Sequence, residues 1–323
     1  MKNKQKIVTI GGGTGSFVLL SGLKKMPVEL SAIVSMADDG GSTGLLRDEL
    51  GVLPPGDVRQ CLVALSHSSD TLRELFNFRY TNGGLSGHSF GNIFLSTLEK
   101  ITGNFSDSVK EAGKILRIRG KVIPVTLTNT KLIATLKSGM KIKGEANITL
   151  SDLTSMKRID LRPVAVINKE ASSAIREADK IIINPGNLFS TIISCLLVKG
   201  LPEAIKKSRA KKIYVCNLMT KVGQTNGYTV VNFLEKIEEY LGKGSIKYVI
   251  YNQARLDNSL IKKYLKNGEK FVERGCLKSR PDINFIGKDL LSRKLTHRIK
   301  NDKLPRTVVR HDSEKLSKII FDL

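Results

Sequence analysis

The sequence has 323 residues, of which 53 are Lys or Arg and 30 are Asp or Glu, so the net charge is +23. Hydrophobic residues make up 41% of the chain, which is typical of a folded globular protein and excludes an intrinsically disordered one. The apolar start of the chain is interrupted by glycines and lacks a cleavage site, which excludes a signal peptide. We therefore expect a cytoplasmic protein with no membrane insertion.

The positive charge is spread along the chain as single lysines and short pairs. Neither an arginine-rich tail nor an aromatic RNA-binding motif accompanies the lysines. We therefore interpret them as a solvated surface that also attracts anionic small molecules, and we expect no nucleic-acid partner. Cys61, Cys195 and Cys216 lie within apolar runs, which predicts buried, reduced thiols rather than a metal site.

Strand and helix patterns alternate in the first third of the chain. The apolar runs at 6–10 and 31–36 predict strands, and the runs at 17–23 and 58–65 predict helices. Asp57 is placed to cap the second of these helices. Another helix is predicted after Gly91. This alternation is typical of a mostly parallel sheet that is covered by helices.

The pattern changes at residues 121–150, where short β-type runs alternate with Gly and Asn turns. We interpret this region as a small antiparallel excursion, or a β subdomain at 121–165, within a single domain of residues 1–323. Strands are then predicted at 180–183, 212–215 and 248–251, followed by a last helix at 314–321. The predicted fold class is α/β, with a Rossmann-like, mostly parallel sheet flanked by helices.

A glycine-rich loop, residues 11–16, separates the first strand from the first helix. Glycines allow a phosphate to approach the backbone closely, and the start of a helix offers unpaired N–H groups. Gly12, Gly13, Thr14 and Gly15 are therefore candidate phosphate contacts. The loop is neither a complete dinucleotide fingerprint nor a Walker A motif, so a simple tight turn is the alternative.

Two carboxylates, Asp38 and Asp39, follow the second predicted strand. In this position a carboxylate often accepts hydrogen bonds from a ribose. The pair could instead hold Mg²⁺ beside a phosphate, or could belong to a turn that caps the next helix. The sequence leaves these three alternatives open.

Two further loops carry polar groups at predicted helix starts. The first, residues 87–92, supplies His88, Ser89 and Asn92 as candidate ligand contacts, and the second, residues 184–191, supplies Gly186, Asn187 and Ser190. No Ser/His/Asp set or metal-ligand spacing stands out. The sequence thus supports the binding of a ligand better than it supports a reaction.

Five motifs in a fixed order resemble those of the YvcK-type gluconeogenesis factors, which share a superfamily with CofD, the 2-phospho-L-lactate transferase. The motifs are G-G-G-T-G at Gly11, A-D-D-G-G-S-T-G at Ala37, L-P-P-G-D-V-R at Leu53, G-H-S-F-G-N at Gly87 and N-P-G-N-L-F-S-T at Asn184. A later R-H-D motif at Arg310 extends the resemblance over nearly the whole chain. The usual family motif has Gly, Ser and Tyr where this chain has Asn184, Asn187 and Phe189.

The resemblance implies a regulatory protein that binds a UDP-sugar, such as UDP-N-acetylglucosamine. It implies roles in growth on gluconeogenic carbon sources, cell-wall integrity and cell shape. The ligand contacts would fall on the loops named above, with Arg310 and Tyr264 also lining the pocket. The protein partner is not implied, and a homodimer is one expectation for the assembly.

Three alternatives to a UDP-sugar-binding regulator follow from the same residues. A CofD-like transferase would use Asp38 and Asp39 to hold Mg²⁺ at a transferring phosphate. An NAD-dependent redox enzyme would need a complete fingerprint and a hydride-transfer site. A nucleic-acid-binding protein would use the net charge and would bind less tightly as the salt concentration rises.

Overall fold

The computed structural model describes residues 4–255, 268–293 and 309–323. Seven strands pair in parallel to form the main sheet. These strands are β1 (Gln5–Gly11), β2 (Val28–Val34), β3 (Lys121–Pro124), β7 (Lys180–Ile183), β8 (Lys211–Val215), β9 (Tyr248–Asn252) and β10 (Asn284–Lys288). The predicted α/β fold with a mostly parallel sheet is confirmed.

Helices connect and flank the strands of this sheet, as expected for parallel strands that need crossover connections. They are α1 (Gly13–Leu23), α2 (Gly41–Leu50), α3 (Gly56–Leu65), α4 (Asp70–Asn77), α5 (Phe90–Thr102), α6 (Phe105–Ile115), α7 (Glu145–Leu150), α8 (Lys169–Glu177), α9 (Ser194–Leu196), α10 (Leu201–Lys207), α11 (Val230–Leu241) and α12 (Ser313–Asp322). A π-helical segment, Leu188–Ile193, leads directly into α9. Among the described residues, no helix has both the length and the apolar character that crossing a membrane requires.

The central strands are covered on both faces. All four residues of β7 are buried, and residues 7–11 of β1 are buried as well. Such strands need continuous apolar runs rather than alternating ones, because side chains on both faces meet helices. This is why the sequence pattern identified these strands clearly.

The strand order in the main sheet is β10-β9-β8-β7-β1-β2-β3. The chain therefore leaves β1 toward β2 and β3, and later returns to the other side of β1 with β7. Neighbouring crossovers on either side of β1 diverge, so the carboxyl ends of β1 and β7 form the switch point of the sheet, and we call the region between them the crevice. Open α/β sheets bind their ligands at such a switch point.

A second, antiparallel sheet contains β4 (Lys131–Leu136), β5 (Lys141–Lys143) and β6 (Met156–Arg162), in the order β5-β4-β6. The predicted antiparallel excursion is thus confirmed, but it begins later than expected. The run that starts at Lys121 forms β3 at the edge of the parallel sheet, where it pairs with β2. Its short apolar pattern fits an edge strand of either sheet, and only the pairing with β2 distinguishes the two.

Buried side chains of both sheets belong to one hydrophobic cluster. Cys61, Cys195 and Cys216 are buried and free, as predicted, and burial raises the pKa of the Cys195 and Cys216 thiols to about 12. His311, just before α12, is also buried, and its Nε2 lies 3.2 Å from the carbonyl oxygen of Cys216. This contact ties the C-terminal segment to the carboxyl end of β8.

Candidate functional site

Two of the predicted ligand loops meet at the crevice between β1 and β7. A Cβ atom on Gly15 would lie 1.8 Å from the carbonyl oxygen of Pro185, so only glycine allows the loops to approach this closely. Asn184 reinforces the contact, since its Nδ2 donates to Ser16 Oγ at 2.8 Å. The glycine-rich loop and the 184–187 loop therefore form one continuous wall of the crevice.

The backbone N–H of Gly13, at the start of α1, already has an anionic partner. It donates to Asp57 Oδ1 at 3.0 Å, and a Cβ atom on Gly12 would lie 2.0 Å from Asp57 Oδ2. From the sequence we expected Asp57 to cap its own helix, α3. Its carboxylate instead occupies the position at the helix start where an anionic ligand group would bind.

The carboxylates of Asp38 and Asp39 are held by different backbone groups. Asp38 Oδ1 accepts from the N–H of Gly40 at 3.0 Å, whereas Asp39 Oδ1 accepts from the N–H of Ala146 at 2.9 Å. A Cβ atom on Gly56 would lie 2.3 Å from Asp38 Oδ2, so Asp38 also packs against the start of α3. Asp38 thus faces the crevice loops, and Asp39 caps α7.

Asp39→Ala is expected to lower the free energy of unfolding by about 1 kcal/mol, because α7 would lose the acceptor for one of its first N–H groups. Gly144, which precedes α7, has no side chain that could replace this acceptor. Chemical denaturation would measure the change. Asp39→Asn is the matched control, since it keeps an acceptor oxygen and removes only the charge. An equal loss in both variants would contradict the capping role.

Three carboxylates at the crevice repel one another. Burial raises the pKa of Asp57 well above its usual range, and the charges of Asp38 and Glu145 raise it further. Burial and then the charge of Asp38 raise the pKa of Glu145, and burial likewise raises that of Asp38. Carboxylates with raised pKa values in a cleft are typical of functional sites.

The described part of the chain contains no group of three or more His, Cys, Asp or Glu side chains that could hold a metal ion. The Oδ1 atoms of Asp38 and Asp39 accept from backbone groups in different segments, Gly40 and Ala146. The binding of Mg²⁺ by these two residues stays a prediction, and no step below depends on a metal.

Two cationic side chains lie near the carboxyl ends of the strands. Lys221, in the loop after β8, is half-buried and lies near the carboxylates of Glu145 and Glu269. Burial nevertheless lowers the pKa of Lys221. Arg310 is half-buried beside His311, which is bound to the end of β8. A lysine and an arginine at this edge could neutralise a diphosphate.

The 87–92 loop forms a buried network beneath the crevice. Ser89 caps α5 by accepting from the N–H of Asn92 at 3.2 Å, and Asn92 Oδ1 accepts from Arg59 Nε at 2.9 Å. Ser42 Oγ lies 3.3 Å from His88 Nδ1 and 3.3 Å from Asn92 Nδ2. The hydrogen bonds of Ser89 and Asn92 thus connect α2, α3 and α5. His88 lies at the border of this network, and a small fraction of its surface is exposed.

The 184–191 loop is also fixed from within the protein. Asn217, after β8, donates from Nδ2 to the carbonyl oxygen of Gly186 at 2.7 Å. Asn187 accepts from the N–H of Thr191 at 3.0 Å through its carbonyl oxygen. Ser190 Oγ accepts from Thr149 at 2.8 Å and is buried. Gly186 and Asn187 thus remain at the crevice surface, while Ser190 lies behind it; Tyr264 lies outside the described residues.

Sequence reasoning missed Glu145 and Lys221 and misjudged the role of Asp57. Asp57 is part of the L-P-P-G-D-V-R motif, and that motif was the only signal that could have identified it. Glu145 begins a short helix in the antiparallel region, and Lys221 follows no predicted glycine-rich loop. Neither residue type at these positions predicts a ligand contact by itself.

The fold and the candidate site define an open α/β protein with polar loops at the switch point of its sheet. The model of the family described as 2-phospho-L-lactate transferase CofD matches residues 7–291, and the chain belongs to this family. The gluconeogenesis factor of Bacillus subtilis is 38% identical over 325 residues, covering 100% of this chain and 99% of that protein. The gluconeogenesis factor of Halalkalibacterium halodurans is 43% identical over 265 residues, covering 81% and 82% of the two chains.

A solved structure has the same fold. The crystal structure of a UPF0052 family member from Bacillus halodurans has a TM-score of 0.90 and is 38% identical, and the match covers 99% of both chains. The resemblance to gluconeogenesis factors and to CofD that the motifs predicted is therefore confirmed.

Proposed function

We propose that this protein is a regulatory protein of the gluconeogenesis-factor type that binds a UDP-sugar in the crevice between β1 and β7. The observation that carries the proposal is the direct packing of the glycine-rich loop against the 184–187 loop at the switch point of the sheet. A nucleotide that lies across this point would meet the start of α1 on one side and the end of β7 on the other.

The diphosphate of such a ligand would bind at the start of α1. There it would displace the Asp57 carboxylate from the N–H of Gly13 and take over this hydrogen bond. Lys221 and Arg310 would supply positive charge from the loops after β8 and before α12. The diphosphate needs both the displacement of the Asp57 carboxylate and the positive charge of Lys221 and Arg310, because the crevice already holds several carboxylates that would repel it.

The hydroxyl groups of the ribose or the sugar would donate hydrogen bonds to the carboxylates of Asp38 and Glu145. A hydroxyl donor can satisfy a half-buried carboxylate without a counter-charge. Burial raises the pKa values of both side chains; the charge of Asp39 raises that of Asp38 further, and the charge of Asp38 raises that of Glu145 further. Additional donors would therefore stabilise their charged forms.

The similar proteins support a regulatory role. The Bacillus subtilis and Halalkalibacterium halodurans proteins are gluconeogenesis factors, and the first of them matches the chain over its whole length. We assign the same type of role to this protein, with support of growth on gluconeogenic carbon sources, cell-wall integrity and cell shape.

Calorimetric titration would test the ligand. We expect micromolar binding of UDP-N-acetylglucosamine or UDP-glucose, and no comparable binding of NAD or GTP, with and without Mg²⁺. Arg310→Ala and Lys221→Gln should each weaken the binding by about tenfold or more, since each removes a charge partner of the diphosphate.

Arg176→Ala is the matched control, because Arg176 is exposed on α8, away from the carboxyl ends of the strands. The Arg176→Ala variant should bind the UDP-sugar with the same affinity as the parent. Equal affinities in the Arg310→Ala, Lys221→Gln and parent proteins would contradict the assignment of the crevice. Binding of only a guanine nucleotide, and only with Mg²⁺, would contradict the UDP-sugar.

The family match supports a second candidate, a CofD-like transferase with a nucleotide-linked phospholactyl donor. In this case the polar crevice would position the donor for attack by an acceptor hydroxyl. Incubation with such a donor, a deazaflavin acceptor and Mg²⁺ would reveal transfer by mass spectrometry. Absence of transfer, together with UDP-sugar binding, would favour the regulator.

A further inference from the structure

A broad groove lies at the amino-terminal edge of the main sheet, opposite the ligand crevice. It has a volume of about 1230 Å³ and is formed by the starts of β8, β9 and β10 and by the turns that follow α10 and α11. Its lining includes six cationic side chains: Lys206, Arg209, Lys211, Lys212, Lys243 and Lys247. The lysines that are dispersed in the sequence are therefore partly concentrated here by the fold.

The parallel register of β8 and β9 places two of these residues, Lys212 and Lys247, at neighbouring positions on adjacent strands. Ile213 pairs with Tyr248, and the N–H of Lys247 donates to the carbonyl oxygen of Lys212 at 3.1 Å. Like charges on adjacent strands destabilise a sheet unless a counter-charge lies between them. A bound polyanion would supply this counter-charge.

The protein itself provides little negative charge to balance the groove. Among the described residues that line it, Asp282 is the one carboxylate side chain. Both of its oxygens accept from Arg280, at 2.9 Å each, and this hydrogen bonding lowers the pKa of Asp282 to about 2. Lys211 is bound to the carbonyl oxygen of Leu323. The exposed ammonium and guanidinium groups of Arg209, Lys243 and Lys247 thus dominate the surface.

Two half-buried aromatic residues, Tyr248 and Phe285, line the groove. Phe285 pairs with Val249, so its side chain lies on the same face of the sheet as that of Lys247, whereas Tyr248 lies on the other face. Channels for single-stranded nucleic acids combine a positively charged track for phosphates with aromatic rings on which bases stack. An acidic peptide would use the charges but would not need the rings.

From these features we infer that the groove at the amino-terminal edge binds a short stretch of single-stranded nucleic acid. Phosphates contact Arg209, Lys243 and Lys247, and one base stacks on Phe285, which lies on the same face of the sheet as Lys247. This proposal departs from the expectation drawn from the sequence, which found no basic cluster. It is independent of the ligand crevice, because the two sites occupy opposite ends of the strands.

Fluorescence anisotropy with labelled oligouridylate and oligothymidylate of about 12 nucleotides would test the proposal and distinguish RNA from DNA. We expect binding at about 50 mM salt that weakens steeply toward about 200 mM, since each neutralised phosphate adds about −0.7 to the slope of log K against log salt. The triple variant Arg209→Glu/Lys243→Glu/Lys247→Glu should bind at least about tenfold more weakly and with a shallower slope.

The matched control changes the same net charge on the antiparallel sheet, through Lys137→Glu, Lys141→Glu and Lys157→Glu, all at exposed positions. It should retain most of the affinity, and both variants should keep the parent's UDP-sugar titration. If the groove variant does not fold, Arg209→Gln/Lys243→Gln/Lys247→Gln replaces it.

Three results would overturn the proposal. The first is an absence of oligonucleotide binding at about 50 mM salt, and the second is an equal loss of affinity in the groove and control variants. The third is groove-dependent binding of a polyglutamate peptide or of anionic phosphatidylglycerol vesicles without binding of either oligonucleotide. Phe285→Leu supplies a readout that charge alone would not change, because loss of the ring should weaken oligonucleotide binding without altering the salt slope.

Discussion

Acidification from pH 7 to about pH 4 is expected to lower the free energy of unfolding by about 3 kcal/mol through His311 alone. Burial lowers the pKa of His311 from 6.5 to about 4, although the carbonyl oxygen of Cys216 opposes the change. Between these two values the unfolded chain binds a proton that the folded protein does not bind. The contribution of His311 to stability is therefore complete above pH 6.5 and is lost as the pH falls toward 4.

Urea denaturation at several pH values would measure this effect in the parent and in His311→Gln. Gln can keep a donor for the carbonyl oxygen of Cys216 but does not titrate. The free energy of unfolding of this variant should therefore fall much less between pH 6.5 and pH 4 than that of the parent. His67→Gln, at an exposed histidine, is the matched control, and its free energy of unfolding should fall as much as that of the parent. The same pH dependence in both variants would show that other groups cause the effect.

Asp57→Asn is expected to raise the free energy of unfolding at pH 7 by about 1–2 kcal/mol. This is the order of magnitude of the cost of burying a polar group whose hydrogen bonds and charge are incompletely balanced. Asn keeps an acceptor for the N–H of Gly13 and removes a charge that Asp38 and Glu145 repel. The pKa of Asp57 is raised, so its proton stabilises the folded state, and this stabilisation is lost as the pH rises from the usual carboxyl range through the raised pKa. The Asn variant should show less of this loss.

The same substitution also tests the proposed ligand. If a diphosphate displaces the Asp57 carboxylate, Asp57→Asn should bind the UDP-sugar several-fold more tightly, because one charge that opposes the ligand is gone. Asp48→Asn, at an exposed carboxylate on the adjacent helix α2, is the control and should change neither property. Weaker binding by the Asp57 variant would mean that this carboxylate contacts the ligand itself.

Most of the parallel sheet could be predicted from the sequence because its strands are buried on both faces. The runs at β1, β7 and β8 contain consecutive apolar residues, and each is followed by a polar loop. The sequence did not assign residues 121–124 to the correct sheet, because such a short apolar run fits an edge strand of either sheet. Its pairing with β2 depends on a connection of many residues, which local patterns do not describe.

The candidate site was predictable mainly where short loop motifs form it. Gly12, Gly13 and Gly15 were predicted as phosphate contacts, and the structure shows that Gly12 and Gly15 allow close approaches to Asp57 and Pro185. Asp38 was also named from the sequence, but two other carboxylates that set the charge of the crevice were not assigned to it. Asp57 lies 44 residues from Gly13, and Glu145 comes from the region of the antiparallel sheet.

The sequence by itself determined the α/β class, most strands of the parallel sheet and the glycine-rich turn, because each depends on residues within a few positions of one another. It did not predict β6 or β10. The tertiary structure decided which charges meet. The parallel register places Lys212 beside Lys247 at one edge of the sheet, and the crossovers around β1 bring Asp57 to the start of α1 at the other. Electrostatic interactions depend on distance in space, so a chain whose lysines are dispersed in sequence can still form a concentrated basic groove.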